Sequence, residues 1–273
     1  MTTALPLAVQ LYSFRDESRR GAEQFTLDRG LFDELARLGY GGVETVGVPG
    51  GDVAAARDAL AQAGLTVTST HSWASIDDAD GFERVCADAA ALGSPRVIVS
   101  GGHFQTRDEI ARFAESLNAG AAIATRHGIR VGLHNHDLEM HDVEGAGPAY
   151  RLIRDATDPA IDFQVDIFWV VVGGAAPADV IHDLGSRVRS LHVKDGVEPP
   201  PSASGGHRFV NSAVGSGVVD PAPAIEAAAA VGSVEWLIVE LDHAAGPVID
   251  AVTGSIEYLV GRGLARSSRS SGA

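Results

Sequence analysis

The sequence predicts an α/β protein folded as a single (β/α)8 barrel, and three observations predict it. Short apolar stretches alternate with helical ones eight times. No Pro-, Gly- or Ser-rich linker splits that alternation, and 273 residues suit one barrel. Regular βα alternation means a parallel sheet, and eight units at this length mean a closed one. An open doubly wound sheet would carry a Gly-x-Gly-x-x-Gly turn after its first strand, and none follows here.

The elements run in order. Residues 8–12 open as a strand and lead into a polar loop. Residues 31–38 have helical spacing and stop at Gly39, residues 42–46 form the second strand, and the helix over 53–63 closes at Gly64. The third strand spans 65–71 and the next helix 79–92. Strand 96–100 and a long helix over 107–126 precede the strand ending Gly132-Leu133-His134-Asn135-His136-Asp137-Leu138-Glu139. A helix at 147–156 leads to strand 161–166, a helix at 177–184 to strand 188–193, and a helix at 221–230 to strand 236–240. The last helix spans 249–260. The barrel is expected to occupy residues 1–266, with 267–273 a disordered Ser/Arg/Gly tail.

Barrel chemistry sits at the C-terminal ends of strands. Those ends read Glu44, His71, His134 with His136, Asp166, His192 with Lys194, and Glu240 with Asp242, whereas the opposite ends are mostly Gly, Ala and small polar groups. Alternate residues of a strand share a face, so His134 and His136 point one way. Titratable groups gathered where apolar strands run out imply a ligand. Imidazole with carboxylate, and no thiolate set, suits one divalent ion. His134, Asp166, His192 and Glu240 end four consecutive strands and can converge on it. Lys194 is the single lysine among 21 basic residues and lies two beyond His192, on the same inward face.

Composition excludes other classes. The formal net charge of −15 argues against nucleic acid. No run of 18 apolar residues exists, no signal-peptide pattern opens the chain, and mean hydropathy is +0.07, so a soluble cytoplasmic protein without a membrane partner is expected. The lone Cys86 sits in a helical pattern as a small buried hydrophobe. Phe168-Trp169-Val170-Val171-Val172 could pack beneath the site or bury in a homo-oligomer contact.

Taken together, Val9-Gln10-Leu11-Tyr12, Gly41-Gly42-Val43-Glu44, the His134–Glu139 run, Val165-Asp166-Ile167-Phe168-Trp169, His192-Val193-Lys194-Asp195, Gly215-Ser216-Gly217 and Val239-Glu240-Leu241-Asp242 resemble the xylose-isomerase-like TIM-barrel superfamily, its sugar phosphate isomerase/epimerase group. The resemblance spans essentially the whole chain. It implies a divalent metal, manganese first and cobalt, zinc or magnesium after it. The ligands would be Asp166, His192 and Glu240, with His134 where related ketose 3-epimerases carry Glu. Trp169 stands where they carry a substrate-binding His. Inositol-derived ketose dehydratases similarly place histidines at the first position.

The implied chemistry is proton abstraction next to a carbonyl of a carbohydrate, through a metal-stabilised enediolate. Isomerase or epimerase action comes first and β-elimination by a keto-sugar lyase second, with a non-catalytic sugar-binding barrel as the rival. Glu139, Glu240 and Lys194 are the candidate catalytic groups. Glu44, His71, His103, His136 and Trp169 are candidates for contacting substrate. The long 195–220 loop is expected to act as a lid carrying His207 or Arg208. Two glycines in Gly215-Ser216-Gly217 are a weak phosphate signal, so an unphosphorylated substrate is as well supported.

Overall fold

The structure, a computed structural model, describes residues 4–16, 25–197, 209–244 and 246–269. Strands β1 (Leu5–Gln10), β2 (Gly42–Val46), β3 (Thr66–His71), β4 (Arg96–Ser100), β5 (Arg130–His134), β6 (Asp162–Asp166) and β7 (Val188–Val193) pair in parallel in chain order. The ribbon strands β8 (Asp195–Val197) and β9 (Val210–Ser212) intervene before β10 (Trp236–Val239). β10 pairs with both β7 and β1, which closes the eight-stranded barrel. A short β11 (Ala265–Arg266) adds to β1 outside the ring.

The helices are α1 (Arg29–Leu38), α2 (Val53–Ala63), α3 (Ala79–Leu92), α4 (Arg107–Arg126), α5 (Ala149–Ala156), α6 (Ile167–Val172), α7 (Pro177–Leu184), α8 (Ala222–Val231) and α9 (Val248–Gly261). Helices α1, α2 and α3 share one construction. An Asp at the N-cap (Asp28, Asp52, Asp78) accepts a backbone N–H of the first turn, and a left-handed Gly follows the last. Thr106 and Glu109 form a capping box at the start of α4.

Strand alternation sorts the core. Outward residues such as Val9, Val43, Leu133, Val165 and Leu191 pack with the helices in one apolar layer. Ala8, Ile98 and Ile238 are equally buried but lie outside it, on the inward-facing parity that carries Gln10 and His134. The register slips once between β2 and β3, where Thr68 is the extra residue, and once between β6 and β7, where Arg189 is. These bulges sit beside Glu44 and Gln164, and a bulge re-aims the side chains next to it.

Three features depart from expectation. The N-terminal strand ends are not merely small: buried Asp162 takes Arg130 at 2.7 and 2.8 Å, Arg96 at 3.3 Å and Arg189 at 3.4 Å. Arginine is favoured there because its planar fork satisfies a buried carboxylate. The expected tail is ordered through Ser267–Arg269, since Ser268 donates its backbone N–H to Gly39 O at 2.8 Å and its hydroxyl to Tyr40 O at 3.0 Å. Residues 270–273 lie outside the described part, as do His207 and Arg208 of the expected lid. Within the described residues of the 195–220 stretch, Asp195–Val197 and Val210–Ser212 pair as the β8–β9 ribbon. Cys86 is fully buried, as its helical setting predicts.

Candidate metal and substrate site

Glu44 is the floor of the site. Its buried carboxylate accepts Gln10 Nε2 at 2.7 Å, Gln164 Nε2 at 2.7 Å, His192 Nε2 at 2.5 Å and the Ser69 hydroxyl, with His71 Nε2 at 3.3 Å. Burial opposes ionisation, but the His71 and His192 imidazoles hold Glu44 well below the usual carboxylate range. Glu44, fully buried, lies beneath the groups that line the cavity. Its bonds position two histidines.

Those bonds also set tautomers. His192 gives Nε2 to Glu44, so Nδ1 faces the barrel axis. His134 gives Nδ1 to Gln164 Oε1 at 3.0 Å, so Nε2 faces the same place. Burial and the neighbouring cations push the His134 pKa well down, which leaves that ring neutral with a lone pair to offer. Asp166 Oδ1 caps α6, accepting the Phe168 and Trp169 N–H groups at 3.0 and 3.1 Å. Asp166 Oδ2 lies 3.0 Å from Lys194 Nζ and His192 Nδ1 lies 2.6 Å from Glu240 Oε2, both buried ion-pair contacts.

Donor atoms of His134, Asp166, His192 and Glu240 all lie within 4.8 Å of one another. Four carboxylates (Glu44, Asp166, Glu240, Asp242) crowd this centre against one ammonium, so it favours further positive charge. His192 shows the same demand. Burial works against its charge, yet Glu240 and Glu44 raise its pKa to about 10. Two imidazoles each anchored through one nitrogen, two converging carboxylates and excess negative charge fit a divalent cation.

Lys194 occupies the edge of this set, with Nζ 3.0 Å from Asp166 Oδ2, 2.7 Å from Glu240 Oε2 and 2.8 Å from Asp242 Oδ2. Burial favours loss of its proton, but Asp166, Asp242 and Glu240 hold it charged well above its ordinary range. Asp195, the next residue, turns away. Its carboxylate accepts backbone N–H groups of Gly215, Gly217 and Val219 at 2.8–3.0 Å. A Cβ on Gly217 would lie 2.2 Å from Asp195 Oδ1, so the glycine loop closes on the chain's own carboxylate. The weak phosphate signal of Gly215-Ser216-Gly217 therefore has an internal explanation.

A cavity of about 270 Å3 opens above these groups, and its wall includes His71, His134, His136, Lys194 and Glu240 with Gln10, Tyr12, Trp73 and Asp242. Trp169 lines the adjoining space with His136. Two expected residues are not brought there. His103 is exposed on the loop before α4. Glu139 lies in the turn after β5, where its Oε2 accepts the His136 N–H at 2.8 Å and its Oε1 packs against Gly101, which has no side chain to obstruct it. The turn folds this carboxylate back onto the backbone, which removes it from the cavity wall.

Burial raises the Glu139 pKa to about 7. A carboxyl that holds its proton more tightly when folded stabilises the fold fully below the unfolded value near 4.5. That contribution is lost as pH rises through 7, up to about 3 kcal/mol. Glu139→Gln should therefore flatten the difference in unfolding free energy between pH 5 and pH 8, measured with denaturant. A variant that keeps the wild-type slope would show that another group carries it.

The sequence reading overlooked several contributors. Gln10 and Gln164 are polar residues at inward positions of apolar strands, two before Tyr12 and Asp166, and that parity could have exposed them. Tyr12 lies in the short 3-10 helix Leu11–Phe14 that follows β1, while Trp73 and Phe209 lie in irregular segments where no periodicity marks them.

Comparison with known proteins agrees with this architecture. A sugar phosphate isomerase/epimerase from Parabacteroides distasonis matches with a TM-score of 0.77 at 21% identity, over 97% of this chain and 96% of its own. The probable 3-DHS dehydratase AsbF from Bacillus anthracis gives 0.71 at 14% identity, over 94% and 100%. The IOLI protein with a bound zinc atom gives 0.71 at 13%, over 94% and 99%. Likeness at these identities is likeness of fold. Comparison with curated proteins returns no match. The family model of the xylose isomerase-like TIM barrel matches residues 32–260, from within α1 to near the end of α9, and the chain belongs to that family.

Proposed function

We propose that this protein is a divalent-metal-dependent isomerase or epimerase of a carbohydrate ketone. The observation that carries the reading is the convergence of buried donor atoms from His134, Asp166, His192 and Glu240, all within 4.8 Å of one another. The fold neighbours support it, since they include a sugar phosphate isomerase/epimerase and a zinc-bound protein. A metal held by those four residues would polarise the ketone oxygen and acidify the neighbouring C–H.

The chain supplies the rest. Asp242, like Glu240, faces both the cavity and Lys194, and it takes the α-proton. Lys194 stabilises negative charge developing on a substrate oxygen. Glu240 serves as ligand, because Lys194 and His192 hold it well below the ordinary carboxylate range and so make it a weak base. His71 and His136 hydrogen-bond hydroxyls from the wall, and Trp169 bounds the far side. Glu139 supports the turn that presents His136. Elimination is the second reading, favoured by the dehydratase among the neighbours and by the Lys194–Asp242 pair, which can return a proton to a leaving group.

The test is metal analysis followed by NMR in D2O. Wild type should take up one divalent ion per chain, with manganese, cobalt and zinc each tried, and His134→Ala and Glu240→Ala should lose it. Asp242→Asn should keep the ion and lose deuterium exchange next to the carbonyl by about 100-fold or more. Exchange without a leaving group marks epimerisation, and release of water or alcohol marks elimination. A wild type that takes up none of the three ions overturns the mechanism and favours a sugar-binding barrel.

A further inference from the structure

The rim holds a second cavity, of about 240 Å3, beside the first. Tyr12, His136 and Asp242 line both, so the two meet at a shared wall. Each alone is smaller than the roughly 300–1,000 Å3 of an ordinary small-molecule pocket, and together they fall within it. Their chemistry differs sharply. The first is built of imidazoles, carboxylates and an ammonium. The second is built around aromatic rings at right angles: Phe168 and Phe209 meet at 5.4 Å and 89°, Trp169 and Phe209 at 5.8 Å and 84°.

Two polar residues of the second compartment, Asn211 and Asp242, are engaged within the protein. Asn211 donates to Asp195 O at 3.2 Å, and its carbonyl oxygen accepts the backbone N–H groups of Asp242 and His243 at 2.8 and 3.1 Å. Asp242 Oδ2 is turned to Lys194. Trp169 Nε1 is buried without a hydrogen-bond partner among the described residues. A sugar ring placed there would set several hydroxyls against ring carbons and an engaged Asn211, which costs affinity. A flat apolar ring would meet aromatic faces and edges, the arrangement such rings prefer.

We infer that the substrate has two parts: a sugar unit in the polar compartment, joined through its glycosidic bond to an aryl or similarly flat apolar aglycone in the Trp169–Phe209 compartment. The assignment rests on reading the first cavity as the sugar site. It gives Phe209 a role in specificity at a distance from the reacting carbons, since aglycone binding positions the sugar without taking part in proton transfer.

Calorimetry on manganese-loaded protein tests it, with the 3-keto forms of methyl β-D-glucopyranoside, phenyl β-D-glucopyranoside and cellobiose as probes, each a ketone that keeps its glycosidic bond. The phenyl glycoside should bind at least about tenfold tighter than the methyl one, equivalent to about 1.4 kcal/mol. Cellobiose should show no such gain. In Phe209→Ala the phenyl-to-methyl ratio should fall below about threefold, and Phe209→Leu replaces that variant if it does not fold. Metal-dependent binding of the methyl glycoside with no phenyl advantage overturns the aglycone compartment alone. A cellobiose gain equal to that of phenyl overturns its apolar character, and an advantage that survives both Phe209 variants overturns its location. Failure of both glycosides to bind, together with no metal uptake, overturns the sugar-site reading and this inference with it.

Discussion

Replacing Lys194 with methionine is expected to move two properties in opposite directions. Without metal, Lys194→Met should unfold at a temperature lower by about 10 °C. The ammonium is 1% exposed and contacts Asp166, Glu240 and Asp242 at 3.0 Å or less, so its loss leaves buried carboxylates unpaired. Breaking a buried pair from one side costs about 3–5 kcal/mol, and a chain of this size loses about 2–4 °C per kcal/mol. Manganese affinity should rise by at least about tenfold, because the ion no longer shares Asp166 Oδ2 and Glu240 Oε2 with a fixed cation. Turnover should fall in the same variant. Thermal unfolding with and without manganese, and competition against a chelating dye, read the first two effects separately. Unchanged manganese affinity would show that ammonium and ion do not share those oxygens.

The second large effect should come from Glu44→Gln, a substitution that preserves shape. Of the four donors aimed at this side chain, only the Ser69 hydroxyl and the His192 ring can turn acceptor, so an amide N–H finds a partner only by displacing a bond one of them makes. That displacement costs about 1–3 kcal/mol of stability. The larger consequence falls on His192. Once Nε2 loses its carboxylate acceptor, the tautomer that presents Nδ1 to the centre is no longer enforced. Loss of such a supporting carboxylate typically lowers metal affinity about 10–100-fold. Glu44 is fully buried, so a variant whose affinity changes less than twofold would show that the ring is held without this carboxylate.

The barrel was legible because its signals are local and repeated. Each apolar strand is bounded by punctuation such as Gly39 and Gly64, and eight repetitions leave little freedom in topology. His134, Asp166, His192 and Glu240 were legible because a strand end is a position that sequence can locate. Glu139 was misplaced because its direction depends on a single tight turn, whose backbone N–H groups compete for the carboxylate more strongly than the cavity does. Asp162 was overlooked because its three arginine partners come from β4, β5 and β7 and meet only once the ring closes. The Trp169–Phe209 compartment joins residues 40 positions apart, across the ribbon that follows β7.

The two register slips carry an evolutionary consequence. Removal of Arg189 from β7 would leave Gln164 opposite Ser190 and Asp166 opposite His192, with His192 and Lys194 still facing in. Loss of Thr68 would likewise leave Ser69 opposite Glu44. The same one-residue deletion at an unbulged position between the slip and the site would turn those side chains outward. The slips are thus the two places where a one-codon change in strand length spares the chemistry, and descendants of this barrel should vary in length there more freely than elsewhere in β3 and β7.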